Sequence, residues 1–218
     1  MSGIETLPRG PNGSLAGGWI AAGVPHRTWL EPMLLVGLLP ARPRLVMLAD
    51  GATAYGSWWR RLVVGAVGGV VPIWRGAGSA GFRAHTKAVR RTIDDGLVFS
   101  LFPETGRPAR PPALRRLSPA VAYFSLRTGA PIVPIVFGGT DELFLRRRVV
   151  VRVLAPILPP ALVPEIGSVE ERDAARRLLA ELRERVEPVA AELHARSLPQ
   201  PGARRRWRWL TGPFPRPE

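Results

Sequence analysis

The sequence predicts an α/β domain with a mixed, largely parallel central sheet flanked by helices. Short apolar runs, each with the length of a buried strand, alternate with longer helical segments, and glycine or proline residues separate the two kinds. A chain of 218 residues that is 46% hydrophobic has enough apolar side chains for one core. We find no internal repeat and no interior linker. We therefore predict one domain over residues 1–198 and a basic tail over 199–218.

Six apolar runs are short and rich enough in branched residues to be buried strands. They are Trp19–Val24, Leu45–Leu48, Val70–Ile73, Leu97–Phe102, Ile132–Phe137 and Val149–Leu154. The segments between and after them predict helices at Glu31–Leu39, Ser57–Val64, Gly81–Asp94, Pro119–Thr128 and Ser168 to about Arg196.

The last helix has the clearest signals. Ser168 and Glu171 have the spacing of a capping box, in which side chains satisfy the first free amides of a helix. Apolar residues then recur at helical spacing, as Leu178, Leu182, Val186 and Val189. Pro188 predicts a kink in the helix or the end of its regular part.

The charge indicates an anionic partner. The net charge is +14, with 31 basic residues against 17 acidic ones, and Lys87 is the one lysine. A phospholipid surface, a phosphorylated substrate, an acidic protein or nucleic acid would all suit this charge. The arginine bias fits phosphate recognition, and a GC-rich genome explains it equally well.

Several classes of site are excluded by composition. There is no cysteine, so disulfides, thiolate metal sites and cysteine nucleophiles are excluded. No set of His, Asp and Glu residues has metal-ligand spacing, and we predict no metal. No signal peptide is visible, and no apolar run reaches the roughly 18 to 20 residues that span a bilayer. We expect a soluble or peripheral protein.

One histidine is placed where a catalytic base could act. His26 follows the predicted strand Trp19–Val24, and Glu31 lies five residues further along the chain. An acid beside a histidine can fix one tautomer of the ring and stabilise its charged form. The pair could therefore take a proton from a hydroxyl. The alternative is a surface histidine near an incidental glutamate. For His85 and His194, which lie in helical segments, we expect no functional role.

Two further segments end predicted strands with polar residues. The loop Phe102-Pro103-Glu104-Thr105-Gly106-Arg107 offers an acid, a hydroxyl and an arginine, and Gly106 permits a positive-φ turn. The segment Val70–Gly76 offers Arg75. Ligands bind at strand ends in open α/β sheets, so Arg75 and Arg107 could hold one phosphate. The alternatives are an ordinary turn and two solvated arginines.

Four segments taken together resemble the glycerolipid acyltransferases. They are His26-x4-Glu31, Pro72-Ile73-Trp74-Arg75, Phe102-Pro103-Glu104-Thr105-Gly106-Arg107 and Ile132-Val133-Pro134-Ile135, in the family's order. The bacterial 1-acylglycerol-3-phosphate acyltransferases are the most similar members. The resemblance covers roughly residues 19–154 and implies a fold of the predicted class.

The resemblance implies an O-acyltransferase of phospholipid biosynthesis. The acyl chain would pass from acyl-CoA or acyl carrier protein, as co-substrate, to a lysophospholipid hydroxyl, and no cofactor is expected. The favoured acceptor is 1-acylglycerol-3-phosphate. His26 would be the general base and Glu31 would orient it. The substrate-binding residues would be Arg75, Glu104, Thr105, Gly106 and Arg107.

The sequence departs from the family pattern at four places. Glu31 replaces the usual Asp, and Pro25 replaces the usual Asn before the histidine. Thr105-Gly106 reverses the family's Gly-Thr. Ser118 stands where many members have Lys, although Arg115 and Arg116 lie close by. These changes leave the chemistry in place and bear on the identity of the acceptor.

The tail suggests contact with an anionic membrane surface. Trp207 and Trp209 alternate with arginines, and such a pattern suits the headgroup layer. The alternative is a disordered basic tail without a target. Trp58 and Trp59 could form a second membrane contact or pack in the core. We predict a cytoplasmic protein, peripheral on the inner face of the cell membrane.

Two other functions compete with the enzyme. A catalytically inactive family member that binds anionic lipid would carry the same motifs. A nucleic-acid-binding protein would carry the same charge, but no nucleic-acid motif is recognisable, and we predict no nucleic-acid partner.

Overall fold

The computed structural model describes residues 2–11, 13–39, 41–51, 69–73, 78–106, 110, 112–141, 148–160 and 165–197. Several sequence predictions fall outside these residues. They are the helix Ser57–Val64 with Trp58 and Trp59, the arginines Arg75 and Arg107, and the tail over 199–218.

Six strands of the described residues form one mixed sheet, and two more form a short ribbon. The strands are β1 (Trp19–Val24), β2 (Leu45–Asp50), β3 (Val70–Ile73), β4 (Val98–Leu101), β5 (Glu104–Thr105), β6 (Arg116–Leu117), β7 (Ile132–Gly138) and β8 (Val150–Val153). The sheet order is β3-β2-β4-β1-β7-β8. The neighbouring strands are parallel, except that β8 runs antiparallel to β7. The prediction of a mixed, largely parallel sheet is confirmed.

The described helices lie where the sequence predicts them, within three residues at each end. They are α1 (Leu30–Leu38), α2 (Gly78–Asp94), α3 (Ala120–Thr128) and α4 (Val169–Arg196), and a 3-10 turn at Ile4–Thr6 precedes them. Pro188 lies inside α4 and does not end it.

The strand β1 is buried on both sides, because helices cover both faces of the sheet. Ile20, Ala22 and Val24 belong to a core cluster shared with α2, α3 and α4. Trp19 and Ala21, on the opposite face, pack in a second cluster with α1. A strand buried on both faces needs a continuous apolar run, and Trp19–Val24 provides one.

The parallel register brings three loops to one edge of the sheet. Ala22 pairs with Leu101 of β4, and Val24 pairs with Val136 of β7. The chain therefore leaves β1, β4 and β7 on the same side, where open α/β sheets bind ligands. His26 follows β1 and Phe102 follows β4, so both lie at this edge.

The predicted capping box of α4 forms part of a buried ion pair. The Ser168 hydroxyl accepts a hydrogen bond from the Glu171 amide, 3.0 Å away. The Glu171 carboxylate accepts two bonds from the Arg127 guanidinium of α3, at 2.7 and 3.1 Å, and one from the Gly167 amide at 2.7 Å. Only 2% of the Glu171 side chain is exposed. This carboxylate therefore joins α3 to the start of α4.

The Glu171 pair predicts a pH dependence of stability. Hydrogen bonds from Arg127 lower the pKa of Glu171 from its ordinary value, with further help from the Gly167 amide. A depressed carboxyl pKa stabilises the fold above the unfolded-state pKa, and this stabilisation is lost as the pH falls through the folded-state pKa. Glu171→Gln is expected to lower the free energy of unfolding by about 1.5–3 kcal/mol at pH 7, and by less at acidic pH. Urea unfolding at pH 7 and at an acidic pH measures the free energy of unfolding of the variant and of the unmodified protein.

Glu170→Gln, at the adjacent exposed position, is the control for this experiment. An equal loss of stability in the two variants at pH 7 would contradict the assignment.

Candidate active site

His26 is held by one contact of its backbone and one contact of its ring. Its backbone amide donates to Glu104 Oε2 at 2.7 Å. Its ring stacks on Phe102, with 4.5 Å between ring centroids and 27° between the ring planes. About a quarter of the side chain (25%) is exposed, so a substrate can reach it. The histidine is therefore anchored at the edge of the sheet and remains accessible.

Glu31 lies beside His26 as the sequence predicts, and it is fully buried, at 0% exposure. Its Oε2 atom is 3.7 Å from His26 Nδ1. It accepts from the Thr28 amide at 2.8 Å, the Thr28 hydroxyl at 3.0 Å and the Arg27 amide at 3.3 Å. Free amides at the start of a helix attract an acid in its first turn. The same donors fix this carboxylate next to the ring.

The pair has the geometry of an oriented base. A carboxylate facing Nδ1 favours the tautomer with its proton on Nδ1, and in that tautomer Nε2 is the proton acceptor. The negative charge of Glu31 would stabilise the imidazolium once His26 has taken a proton. The arrangement can therefore deprotonate a hydroxyl placed next to Nε2.

Glu104 links two loops. It is 8% exposed, and its Oε2 atom accepts the His26 amide described above. Its Oε1 atom accepts the Arg115 amide at 2.8 Å. One carboxylate therefore fixes the backbone of His26 relative to the segment before β6.

Thr105 and Gly106 lie on the exposed side of the same loop. The Thr105 hydroxyl donates to the Arg116 carbonyl at 3.3 Å, across the β5–β6 ribbon. Gly106 has φ +85°, so the expected positive-φ turn is present. Arg75 and Arg107 lie outside the described residues, and the structure brings together the other five predicted site residues.

Sequence reasoning missed two residues that support the histidine. Phe102 has no predicted role within its motif, but its ring stacks on the His26 ring. Gly23 makes room for Phe102, because a Cβ atom at Gly23 would lie 2.4 Å from Phe102 Cε1. The one signal available was a glycine near the end of an apolar strand, since a glycine within a strand often marks a close approach.

Gly23→Ala tests this support. The added methyl would collide with Phe102, whose ring also packs near Phe137, so the Phe102–His26 stack must shift. We expect the free energy of unfolding to fall by about 1–3 kcal/mol, as for other overpacked sites. We also expect the catalytic rate to fall by about tenfold or more, because a base must lie within hydrogen-bond reach of its proton.

Gly37→Ala is the matched control, because a Cβ atom at Gly37 in α1 meets nothing within 4 Å. A Gly23→Ala variant with the turnover and stability of the control would contradict the supporting role of this contact.

The described residues contain neither a metal cluster nor a membrane span. No group of three or more His, Asp or Glu side chains among them could hold a metal ion. Within the same residues, every helix is too short or too polar to cross a bilayer.

Comparisons with known proteins identify the fold. No protein-family profile matches the sequence, and no curated protein matches it either. Among solved structures, the chain is similar to the 1-acyl-sn-glycerophosphate (LPA) acyltransferase PlsC from Thermotoga maritima, with a TM-score of 0.53 and 19% identity. The match covers 81% of this chain and 66% of that protein, so the chain spans slightly less than two thirds of its length. This chain therefore has the glycerolipid acyltransferase fold that its four sequence blocks predict.

Proposed function

We propose that this protein is an O-acyltransferase that moves a fatty acyl chain from an acyl thioester to the hydroxyl of a lysophospholipid. The favoured acceptor is 1-acylglycerol-3-phosphate, which would give phosphatidic acid. One observation carries the proposal. His26 and the buried Glu31 form an oriented base at the carboxyl edge of a sheet with the acyltransferase fold.

The proposed reaction is a direct transfer. His26 Nε2 takes the proton of the acceptor hydroxyl, and the oxygen attacks the thioester carbonyl. The new carbon–oxygen bond forms, the carbon–sulfur bond breaks, and the thiolate receives the proton from His26. No covalent enzyme intermediate is needed, so a chain without cysteine can perform the reaction.

The substrates suit the charge of the chain. Arg75 and Arg107 would hold the acceptor phosphate, while Glu104, Thr105 and Gly106 would shape that site. Either acyl-CoA or acyl carrier protein would serve as donor. Both are anionic, and the net charge of +14 favours them. The arginine- and tryptophan-rich tail would bind the anionic lipids on the inner face of the cell membrane.

The test is acyl transfer by the purified protein on anionic vesicles. Lysophosphatidic acid and monoacylglycerol of the same chain length are offered with acyl-CoA or acyl carrier protein as donor, and mass spectrometry follows the products. We expect phosphatidic acid and free thiol in equal amounts, and less product from monoacylglycerol. Vesicle binding without transfer from any donor to any lysolipid would favour the catalytically inactive lipid binder.

A further inference from the structure

A groove lies open on the helical face of the sheet that α2, α3 and α4 cover. Its volume is about 450 Å³, which is in the range of ligand-binding pockets. Ala120, Tyr123 and Arg127 of α3 form its floor, Phe82 of α2 lines one side, and Arg172 of α4 lines the other. Neither the proposed base nor its acid lines the groove, so the proposed reaction leaves this surface without a role.

The floor of the groove is aromatic and has little net charge. The Arg127 guanidinium lies 5.1 Å from the Phe82 ring centroid and 5.5 Å from that of Tyr123. Its charge is compensated by Glu171, 2.7 Å away. The two rings and the methyl of Ala120 therefore give the groove an apolar surface.

Two large apolar side chains continue this surface beyond the groove. Ile166 precedes Gly167, which lines the groove, and Val169 is the first residue of α4. Their exposed fractions are 69% and 56%. Exposed apolar side chains grouped in this way are typical of surfaces that bind a macromolecule. A small ligand held in the groove would leave both side chains in water.

One rim of the groove is a row of cations on α2. Arg83, Lys87 and Arg90 are exposed and follow the i, i+4, i+7 spacing, so they lie along one side of the helix. The Arg90 guanidinium donates to the Arg127 carbonyl of α3, so this side of α2 is turned toward the floor of the groove. A rise of 1.5 Å per residue spreads the three charges over about 10 Å. The one acid of α2 is Asp94, in its last turn.

The opposite rim is mixed in charge. Arg172 is exposed, but Glu165 and Glu170 are exposed close to it in the sequence. Asp173 pairs with Arg176 at 3.0 Å. The positive charge that a partner would meet therefore comes from the α2 rim.

One end of the groove joins the active-site loop. Ser118 lines this end, and its amide donates to the Pro103 carbonyl at 2.6 Å. The next residue, Glu104, accepts the His26 amide. A partner bound in the groove therefore lies one loop away from the proposed base.

We propose that this surface docks the acyl carrier protein, through an acidic helix, and so delivers the acyl thioester to His26. This inference rests on the proposed function and assigns its donor. Carboxylates one helical turn apart match cations that are also one turn apart, and such matched charges favour specific association. The phosphates of CoA would need cations gathered at one point, but these are spread along a helix. A protein would also cover Ile166 and Val169.

The first test measures binding without turnover. Calorimetry gives the affinity of the full chain for holo-acyl carrier protein and for CoA. Arg83→Glu combined with Lys87→Glu is expected to weaken binding of the carrier protein by about tenfold or more at low salt, and by less at high salt. The affinity for CoA should not change. Arg9→Glu combined with Arg44→Glu, at exposed positions outside the groove, is the control with the same net charge.

The second test addresses the apolar part of the surface. Ile166→Ser is expected to weaken binding of the carrier protein by about threefold or more, because the partner would no longer bury this side chain. Ile4→Ser is the control, because Ile4 is also exposed and lies in the 3-10 turn, outside the groove. Equal affinities of the two variants would remove the apolar contact from the proposal.

Three results would overturn the proposal as a whole. The first is full affinity of the α2 double variant for the carrier protein, or an equal loss in its control. The second is a loss confined to CoA or to phosphatidylglycerol vesicles, which would assign the surface to a nucleotide or a membrane. The third is transfer from acyl-CoA by a chain that binds no carrier protein, which would leave the proposed function standing. Binding that depends on the α2 cations, in a protein that transfers no acyl chain, would support this inference while refuting the proposed function.

Discussion

His26→Ala is expected to lower kcat for acyl transfer by about 10²- to 10⁴-fold, the range that a positioned base contributes. The remaining protein should still hold both substrates, because the hydrogen bond that ties this loop to Glu104 comes from the His26 backbone amide and not from its ring. The acceptor affinity should therefore change little. Initial rates and calorimetry on the same preparation measure the two quantities.

His85→Ala is the matched histidine control, because His85 lies within α2 and outside the loops that follow β1 and β4. We expect this variant to have the kcat of the unmodified protein. A His26→Ala variant as active as His85→Ala would exclude His26 as the base.

Glu31→Gln is expected to produce the second-largest loss of acyl-transfer activity. The carboxylate is fully buried and accepts three hydrogen bonds, so an amide in its place would turn a donor toward other donors. We expect the free energy of unfolding to fall by about 1.5–3 kcal/mol. We expect kcat to fall by about 10²-fold, because the ring loses both its orientation and its compensating charge.

Glu31→Asp separates the two roles of this residue. The shorter side chain keeps the charge that stabilises the imidazolium, and Asp is the acid of the motif that the His26 segment resembles. We expect Glu31→Asp to retain more activity than Glu31→Gln, when both are measured at a temperature where urea unfolding shows them folded. Equal kcat for Glu31→Gln and the unmodified protein would show that Glu31 has a structural role only.

The sheet could be predicted because a strand that is buried on both faces needs a continuous run of apolar residues, and such a run is visible in the sequence. The predicted bounds of β1 and β3 match the observed ones, since a glycine directly precedes each apolar run and Pro25 or Arg75 follows within two residues. The start of α2 was placed three residues late, because Gly78 and Gly81 disfavour helix locally and the helix includes both. Packing of Phe82 and Val89 against the sheet overrides that preference.

The partners of the site residues could be predicted only in part. His26 and Glu31 are five positions apart, so a strand-to-helix turn brings them together. The bond from the His26 amide to Glu104 joins residues 78 positions apart, and no local pattern indicates it. The link from Arg115 to His26 through Glu104 depends on that bond, on the Arg115 amide and on the β5–β6 ribbon. The sequence therefore predicted the pairing of His26 with Glu31, but not the loop contacts around them.

The central claim is that His26 and Glu31 act as one unit in acyl transfer, and a double-mutant cycle tests it most directly. Initial rates of phosphatidic acid formation are measured for the unmodified protein, His26→Ala, Glu31→Gln and the double variant. Residues that act as a unit are not additive, so the double variant should transfer within about threefold of His26→Ala alone. Losses that multiply in the double variant would contradict the claim, because Glu31 would then act independently of His26.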